Sequence, residues 1–236
     1  MTNTLNLPPK SLRLRSATPL AARTVVAPTG TIIRGRFPSV TAHRMVAFEQ
    51  LLERDALYLF EFCPLVQDIH AQPFKFHYAF GDKIRRYTPD YALTLADGSR
   101  VIIEIKPSRS LEKPEIKAKF EAIAAAMARQ QHRFMVLTDK TIRQEPRLSN
   151  FKQLYPFLRM PFRAENRALL SRLHTRLQEC GSLSLTDCGP EGVTPSEILL
   201  LLAHGFLNCD YTQPIGPQSL VSLTNEEMDH VLIDWL

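Results

Sequence analysis

Acidic residues are missing from the start of the chain. Between Met1 and Phe48 there is no aspartate or glutamate, while Lys10, Arg13, Arg15, Arg23, Arg34, Arg36 and Arg44 supply seven basic groups. Paired cysteines are missing too. Cys63, Cys180, Cys188 and Cys209 stand singly, with no C-x-x-C pair. That spacing excludes a zinc site and reads as reduced thiols in a cytosol. Long apolar runs are absent. The longest cluster, Ile198 to Ala203, is far too short to cross a bilayer, and no signal-peptide pattern opens the chain. The expectation is a cytoplasmic protein. Its 236 residues, 44% hydrophobic, suffice for a real core in one or two domains.

What is present is charge of opposite sign in the two parts of the chain. Residues 164–236 hold ten acids against three arginines, a net of −7; with +5 overall, residues 1–163 carry +12. A basic front suits a phosphate backbone. An acidic back suits a protein partner better.

Residues 1–40 are proline-rich, with irregular hydrophobic spacing, and read as a basic arm. Arg13-Leu14-Arg15 and Ile32-Ile33-Arg34-Gly35-Arg36 are candidate short strands. From about Thr41 to Phe62 the spacing of Val46, Leu52, Leu57, Leu59 and Phe60 predicts a helix, with Thr41 or Ser39 as cap and Pro64 after its end. Glu49 and Glu53, at i and i+4, then share one face, flanked by Arg54 and Asp55. Such a face is either the wet side of a helix or the source of a carboxylate for a neighbouring site. Val66–Gln72 and Phe74–Tyr78 alternate as strands. Gln72-Pro73, between them, is placed to order a loop. His70 and His77 lack a partner pattern and are assigned no role.

The centre of the argument is the stretch from Arg86 to Lys106. Tyr91, Leu93 and Leu95 alternate in a first strand, and Val101, Ile103 and Ile105 in a second. Ala96-Asp97-Gly98 joins them. A three-residue loop ending in a left-handed glycine puts Leu95 opposite Ser99, and hence Asp90 opposite Glu104. A two-residue turn would split these charges across the sheet. In the first register Asp90, Glu104 and Lys106 share one surface while Ile105 points to the core. Two carboxylates on adjacent strands make a hard-oxygen site suited to Mg²⁺ or Mn²⁺. A lysine beside them can hold water or stabilise charge on a phosphate. This Pro-Asp, then Glu-x-Lys, arrangement resembles the PD-(D/E)xK nuclease superfamily.

After Pro107 a loop leads to a helix opened by Pro114, with Ile116, Phe120, Ile123, Ala124 and Met127 as its stripe and Lys113, Lys117, Lys119 and Arg129 outside. Arg133–Leu137 reads as a buried strand, so the front half is α/β. Thr138-Asp139 opens a short helix, and Asn150–Tyr155 closes the domain near Pro156. Beyond Pro161 come a helix over Glu165–Glu179, a short strand at Leu183–Leu185, and a leucine-rich helix capped by Thr194 and ended by Gly205. Two strands, Phe206–Asp210 and Ser219–Leu223, follow. That is the outline of a winged helix, acidic and without a basic recognition helix, and it reads as a docking module. The expected division is an arm over 1–40, a nuclease domain over 41–160 and the docking domain over 164–236.

Phe48-Glu49-Gln50-Leu51-Leu52-Glu53-Arg54-Asp55, Gln72-Pro73, Tyr87-Thr88-Pro89-Asp90, Asp97-Gly98 and Glu104-Ile105-Lys106-Pro107 occur in an order and spacing similar to the TnsA endonuclease family, one subunit of a heteromeric cut-and-paste transposase. The resemblance covers about Arg36 to Phe157. It implies a restriction-endonuclease-like core, a mixed sheet flanked by helices, followed by the winged-helix-like domain. It implies a catalytic set of Glu53 (before Glu49), Asp90, Glu104 and Lys106. It implies an Mg²⁺ site, with Mn²⁺ as substitute, drawing on Glu53, Asp90, Glu104 and Ile105. The implied activity is cleavage at the 5′ ends of a transposon in a bacterial cytoplasm. The implied partners are double-stranded DNA at the transposon ends, the transposase TnsB, and the AAA+ regulator TnsC through the C-terminal domain. The short chain and compact arm resemble versions carried by CRISPR-associated transposons. A stand-alone restriction- or resolvase-type nuclease, and a non-catalytic DNA-binding subunit of nuclease fold, are the alternatives.

Overall fold

The computed structural model describes residues 33–224 and 235–236. The candidate strand Arg13-Leu14-Arg15, and most of the expected arm, lie outside the described residues. The described chain opens with an antiparallel hairpin, β1 (Gly35–Ser39) and β2 (Arg44–Phe48), in which Gly35 faces Phe48. A Cβ at Gly35 would stand 2.5 Å from the Phe48 ring, so glycine is what lets the ring lie there.

The helix expected from Thr41 begins only at Leu51: α1 is Leu51–Phe62, with Gln50 at its cap instead of Thr41 or Ser39. The reason is a competing use of the same polar groups. Residues 40–43 form a tight turn in which His43 adopts a φ of 54°. The Glu61 carboxylate, from the last turn of α1, accepts from Val40 N–H at 3.1 Å and from Thr41 N–H and Oγ1 at 3.0 Å each. The Ser39 hydroxyl donates to its other oxygen. Ser39 and Thr41 thus cap a turn, and Val46 belongs to a strand. Glu49 therefore precedes α1. Nor is the polar face wet. Asp55, 3% exposed, is paired with Arg54, Arg143 and Lys152 at 3.0, 2.8 and 3.2 Å. Burial pushes its carboxyl up, but these three cations outweigh burial and hold it below the ordinary aspartate range.

Extended backbone at Cys63, followed by Pro64, ends α1. β3 (Val66–Ala71) follows, then a second antiparallel hairpin, β4 (Phe76–Phe80) and β5 (Lys83–Tyr87), turning at Gly81. The sequence reading stopped the strand at Tyr78 and ran Arg86 into the next one. In the structure Arg86 and Tyr87 end β5, and Pro89 separates them from β6 (Tyr91–Leu95). β7 (Arg100–Lys106) returns antiparallel to β6. The single turn α2 (Ser108–Leu111) replaces the expected loop, and α3 (Pro114–Arg129) carries the chain to β8 (Arg133–Thr138), which lies parallel to β7. The central sheet is therefore mixed, in the order β3-β6-β7-β8. Tyr91, Leu93, Val101, Ile103 and Ile105 belong to the core beneath α1. Ala92 and Ile102 belong to the core beneath α3, with Phe120, Ile123 and Met127. β7 is covered on both faces, which is why Val101, Ile102 and Ile103 are apolar in succession.

α4 (Asp139–Ile142) and α5 (Arg147–Leu158) close the front half; α5 runs on through Pro156. The remainder comprises α6 (Ala164–Cys180), β9 (Leu183–Ser184), a 3-10 turn, α7 (Pro195–Ala203), β10 (Leu207–Cys209) and β11 (Leu220–Leu223). Thr194 and Glu197 form a reciprocal capping box at α7. The three short strands form an antiparallel sheet in the order β10-β11-β9. One apolar core runs from α1 through α5 into α6 and α7. A buried polar tie between the halves is Asn150, 2% exposed. Its Nδ2 donates to Tyr211 O at 3.0 Å and Gln213 O at 2.8 Å, and its Oδ1 accepts from Ile215 N–H at 3.0 Å. Asn150→Ala orphans three backbone groups and is expected to destabilise the fold by about 3 kcal/mol, since each buried unsatisfied group costs roughly 1–3. Urea denaturation measures this; a loss below about 0.5 kcal/mol would show that the tie is not structural.

Candidate nuclease site

The site is assembled by the β6–β7 hairpin. Its loop is the three-residue one. Leu95 N–H donates to Ser99 O at 2.8 Å, Gly98 N–H to Leu95 O at 3.0 Å, and Gly98 sits at a φ of 82°. The register Tyr91↔Ile103 follows, and one step outward it sets Asp90 against Glu104. Asp90, Glu104 and Lys106 thus come to the same end of the sheet, on the face of Ala92 and Ile102. Ile105 alternates to the opposite face and packs in the core beneath α1. Its N–H donates to Asp90 Oδ2 at 2.7 Å, so the Ile105 atom left to offer a cation is its carbonyl oxygen.

Asp90 is held from behind by the Gln72-Pro73 loop. Gln72, 5% exposed, adopts a φ of 47°, and its N–H donates to the Asp90 carbonyl at 2.8 Å. Glu104, 3% exposed, has both carboxylate oxygens engaged. Lys106 Nζ lies 2.9 Å from Oε1, and the Tyr87 hydroxyl donates to Oε2. Glu53 reaches the cluster from the first turn of α1, across the edge of the sheet. Its Oε2 accepts from Glu49 N–H at 2.7 Å. Glu49 itself lies in the chain leading into the helix.

These groups act on one another through their charges. Burial raises the Asp90 pKa well above the usual aspartate value, and the charges of Glu104 and Glu53 raise it further. Burial likewise raises Glu53, aided by Glu49 and Glu104 and opposed by the Glu49 hydrogen bond and Lys106. Burial lowers Lys106, but Glu104, Asp90 and Glu53 outweigh burial and lift it above the ordinary lysine value, so its ammonium stays charged. Burial and Glu104 push the Tyr87 hydroxyl far up, which keeps it a donor. Among the described residues no three His, Cys, Asp or Glu side chains stand in a metal-holding arrangement. Each carboxylate is turned to a partner within the protein. The donor set is nonetheless all oxygen, crowded and short of positive charge, which is the chemistry a hard divalent cation fits.

Beside the cluster a cleft of about 540 Å³ is lined by Gln50, Leu51, Pro107, Arg109, Asp139 and Arg143. Two residues that matter here escaped the sequence reading. Tyr87 was quoted without a role, and its signal was the alternation of Phe76, Tyr78 and Phe80 before the Gly81-Asp82 turn, which pairs it back toward Glu104. His70 has partners after all. Its Nε2 lies 2.9 Å from Asp68 Oδ2, and Arg44 bonds both to its Nδ1 at 2.6 Å and to Asp68 Oδ1 at 2.8 Å. Arg44 comes from β2, so nothing local announced that contact.

A carboxyl whose pKa is raised by folding binds a proton more tightly in the native state. Its stabilising contribution is complete below the unfolded pKa and is lost as pH rises through the native one. For Asp90 and Glu53 that window runs upward from the ordinary carboxylate range. The metal-free protein is expected to lose stability as pH rises through it. Asp90→Asn is expected to flatten that slope and to raise Tm at pH 7.5 by roughly 2–4 °C in EDTA. Thermal melts against pH check this, and an Asp90→Asn variant that melts lower than wild type at pH 7.5 refutes it.

Residues 63–139 match the family model described as TnsA-like endonuclease N terminal. No curated protein matches the chain. The matched segment takes in Asp90, Glu104 and Lys106, whereas Glu53 precedes it. No helix among the described residues is long and apolar enough to cross a membrane. The central segment of this chain, with its mixed sheet flanked by helices, is thus similar to TnsA-like endonucleases, and nuclease is the activity that likeness supports.

Proposed function

We propose that the protein is a metal-dependent DNA endonuclease of PD-(D/E)xK type that cuts the 5′ ends of a transposon during cut-and-paste transposition. The observation that carries this reading is the convergence of Glu53, Asp90, Glu104 and Lys106 at one end of the sheet, in and beside the segment similar to TnsA-like endonucleases. A phosphodiester brings negative charge to a place already crowded with it, so the site works only with added positive charge. Asp90 and Glu104, with Glu53 and the Ile105 carbonyl, are the donors that would hold Mg²⁺ or Mn²⁺. The cation, when bound, supplies Lewis-acid polarisation of the phosphoryl group and a lowered pKa for water.

Lys106 remains an ammonium under the influence of three carboxylates, so it donates to the phosphate or to the attacking water and does not serve as base. Tyr87 keeps one Glu104 oxygen aimed and the other on Lys106. The Gln72 contact fixes the carbonyl of Asp90 and with it the start of β6. The cleft with Arg109 and Arg143 lies where backbone phosphates would pass.

The order α6, β9, α7, β10, β11 and the sheet order β10-β11-β9 suit a winged-helix-like module. Its net charge of −7 over residues 164–236 opposes DNA and favours protein docking. TnsB and the AAA+ regulator TnsC are the partners this reading assigns. Delegating end recognition to them accounts for a nuclease without a basic recognition helix. The version carried by CRISPR-associated transposons is the setting this reading assigns.

Asp90→Ala and Lys106→Ala are each expected to slow 5′-strand cutting at least about 100-fold, the usual effect of removing one charge-stabilising group, with the fold intact by circular dichroism. The assay is single-turnover cleavage of a labelled transposon end with TnsB and Mg²⁺. Wild-type cutting by Asp90→Ala refutes the site. Cutting of plain duplex by the chain alone replaces the transposition reading with that of a free-standing nuclease. Mn²⁺ is expected to raise the wild-type Tm and to leave Asp90→Ala unmoved.

A further inference from the structure

Apart from Tyr87 at its root, the β4–β5 hairpin takes no part in the chemistry just proposed, yet its surface has an unusual make-up. Pairing places Phe76, Tyr78 and Phe80 of β4 on the side packed against α3, while His77 and Ala79 turn outward opposite Arg86 and Ile84. Lys83, Ile84, Arg85 and Arg86 are exposed in succession, and Ile84 keeps 78% of its surface. A strand exposed on four consecutive residues has no second layer over its outer half. Residues 75–87 hold Lys75, Lys83, Arg85 and Arg86 against the single acid Asp82, a net of +3. None of the four is ion-paired with a described residue; Arg85 instead lies over the Phe80 ring at 5.0 Å. Lys119 of α3 adds a cation at the base, 5.9 Å from the centre of the Tyr87 ring. A solubility tag would not pair cations with a bare isoleucine at the tip. An isolated two-stranded ribbon is marginal in water, and this one is held by its aromatic face and by Tyr87, whose hydroxyl is bonded to Glu104.

The geometry points to β4–β5 as a ribbon that enters a groove of duplex DNA flanking the scissile phosphate. Lys83, Arg85 and Arg86 meet phosphates, and Ile84 lies against the groove floor. The inference rests on reading the site as a DNA nuclease, and it adds the element that grips the substrate. A two-stranded ribbon fits the major groove, which is about 12 Å wide. At about 3.3 Å per residue the strand from Tyr87 to Lys83 reaches about 13 Å, enough to cross it. The ribbon is rooted on the Glu104 carboxylate, so a backbone it holds is delivered to the Asp90 end of the sheet. An acidic protein surface is the rival occupant. DNA is favoured because the whole front of the chain is basic, +12 over residues 1–163, and because the ribbon ends at the cluster proposed to cut.

The test is duplex binding by the full chain, read by anisotropy of a labelled linear duplex in Ca²⁺ over a range of salt. The triple variant Lys83→Ala/Arg85→Ala/Arg86→Ala is expected to bind at least about 10-fold more weakly, and to lose up to about 3 from the slope of log K against log salt, at about 0.9 per phosphate contact. Ile84→Ser is expected to weaken binding without changing that slope. All four positions are exposed, and unchanged melting temperatures verify the fold. A triple variant that binds within twofold of wild type, with the same slope, overturns the ribbon. So does one that keeps its DNA affinity and loses only association with TnsB. Asp90→Asn separates the two readings. It is expected not to cut while the ribbon is intact; if it cuts, the nuclease site is wrong whatever the ribbon does.

Discussion

Like charges crowded at the end of an apolar sheet are the condition around which this fold is arranged. Glu104 and Glu53 are nearly removed from water, Asp90 is half-buried, and each of the three raises the pKa of a neighbour. Left alone, such a cluster would draw in water or push its strands apart, because a buried charge without a partner is expensive. Here each member is held within the protein: Asp90 by the Ile105 N–H, Glu104 by the Tyr87 hydroxyl and the Lys106 ammonium, and Glu53 by the Glu49 N–H. These partners are weaker than a divalent cation. The arrangement is stable enough to fold and still short of positive charge, as the proposed metal-dependent reading requires.

Stability for that end of the molecule comes from buried polar groups elsewhere that are fully satisfied. Glu61 is completely enclosed and closes the β1–β2 turn onto α1. Asp55 gathers three cations, from α1, from just past the end of α4 and from α5. Asn150 fixes the loop between β10 and β11. Each stands where two elements meet. A lost partner at such a place orphans its neighbours, so these residues fix the relative placement of helices more firmly than apolar contacts alone. The Glu53 carboxylate depends on this framing, because α1 must lie at one angle to the sheet for its first turn to reach Asp90. Trp235 adds to it, its ring centre 5.4 Å from that of Phe60 on that helix and tilted by 40°.

Local chemistry was legible wherever partners lie close in sequence. The Ala96-Asp97-Gly98 loop and the alternation on either side set the Asp90–Glu104 register without tertiary help, since a three-residue hairpin loop admits one pairing. The same holds for the Thr194-Pro195 start of α7 and for the apolar stripe of α3. Legibility failed where a polar residue had two possible uses. Ser39 and Thr41 look like helix caps and instead bind Glu61 across the hairpin. Asp55 looks like a solvated helix residue and is buried by Arg143 and Lys152, far along the chain. The β4–β5 hairpin was half seen because its second strand, Lys83–Tyr87, exposes every side chain but the last and shows no alternation.

The sequence alone determined that an aspartate, a glutamate and a lysine would share one face of a hairpin. That follows from the period of a strand and the length of one loop, both local. It determined as well that the front would be basic and the back acidic. Only the tertiary structure decided that Glu53 would join them, that Tyr87 would cap Glu104, and that His70 would be locked between Arg44 and Asp68. Those contacts join elements far apart in the chain, and what sets them is how α1 and two separate hairpins pack around β7. No local period encodes that packing, because it is chosen by the shape of the shared core.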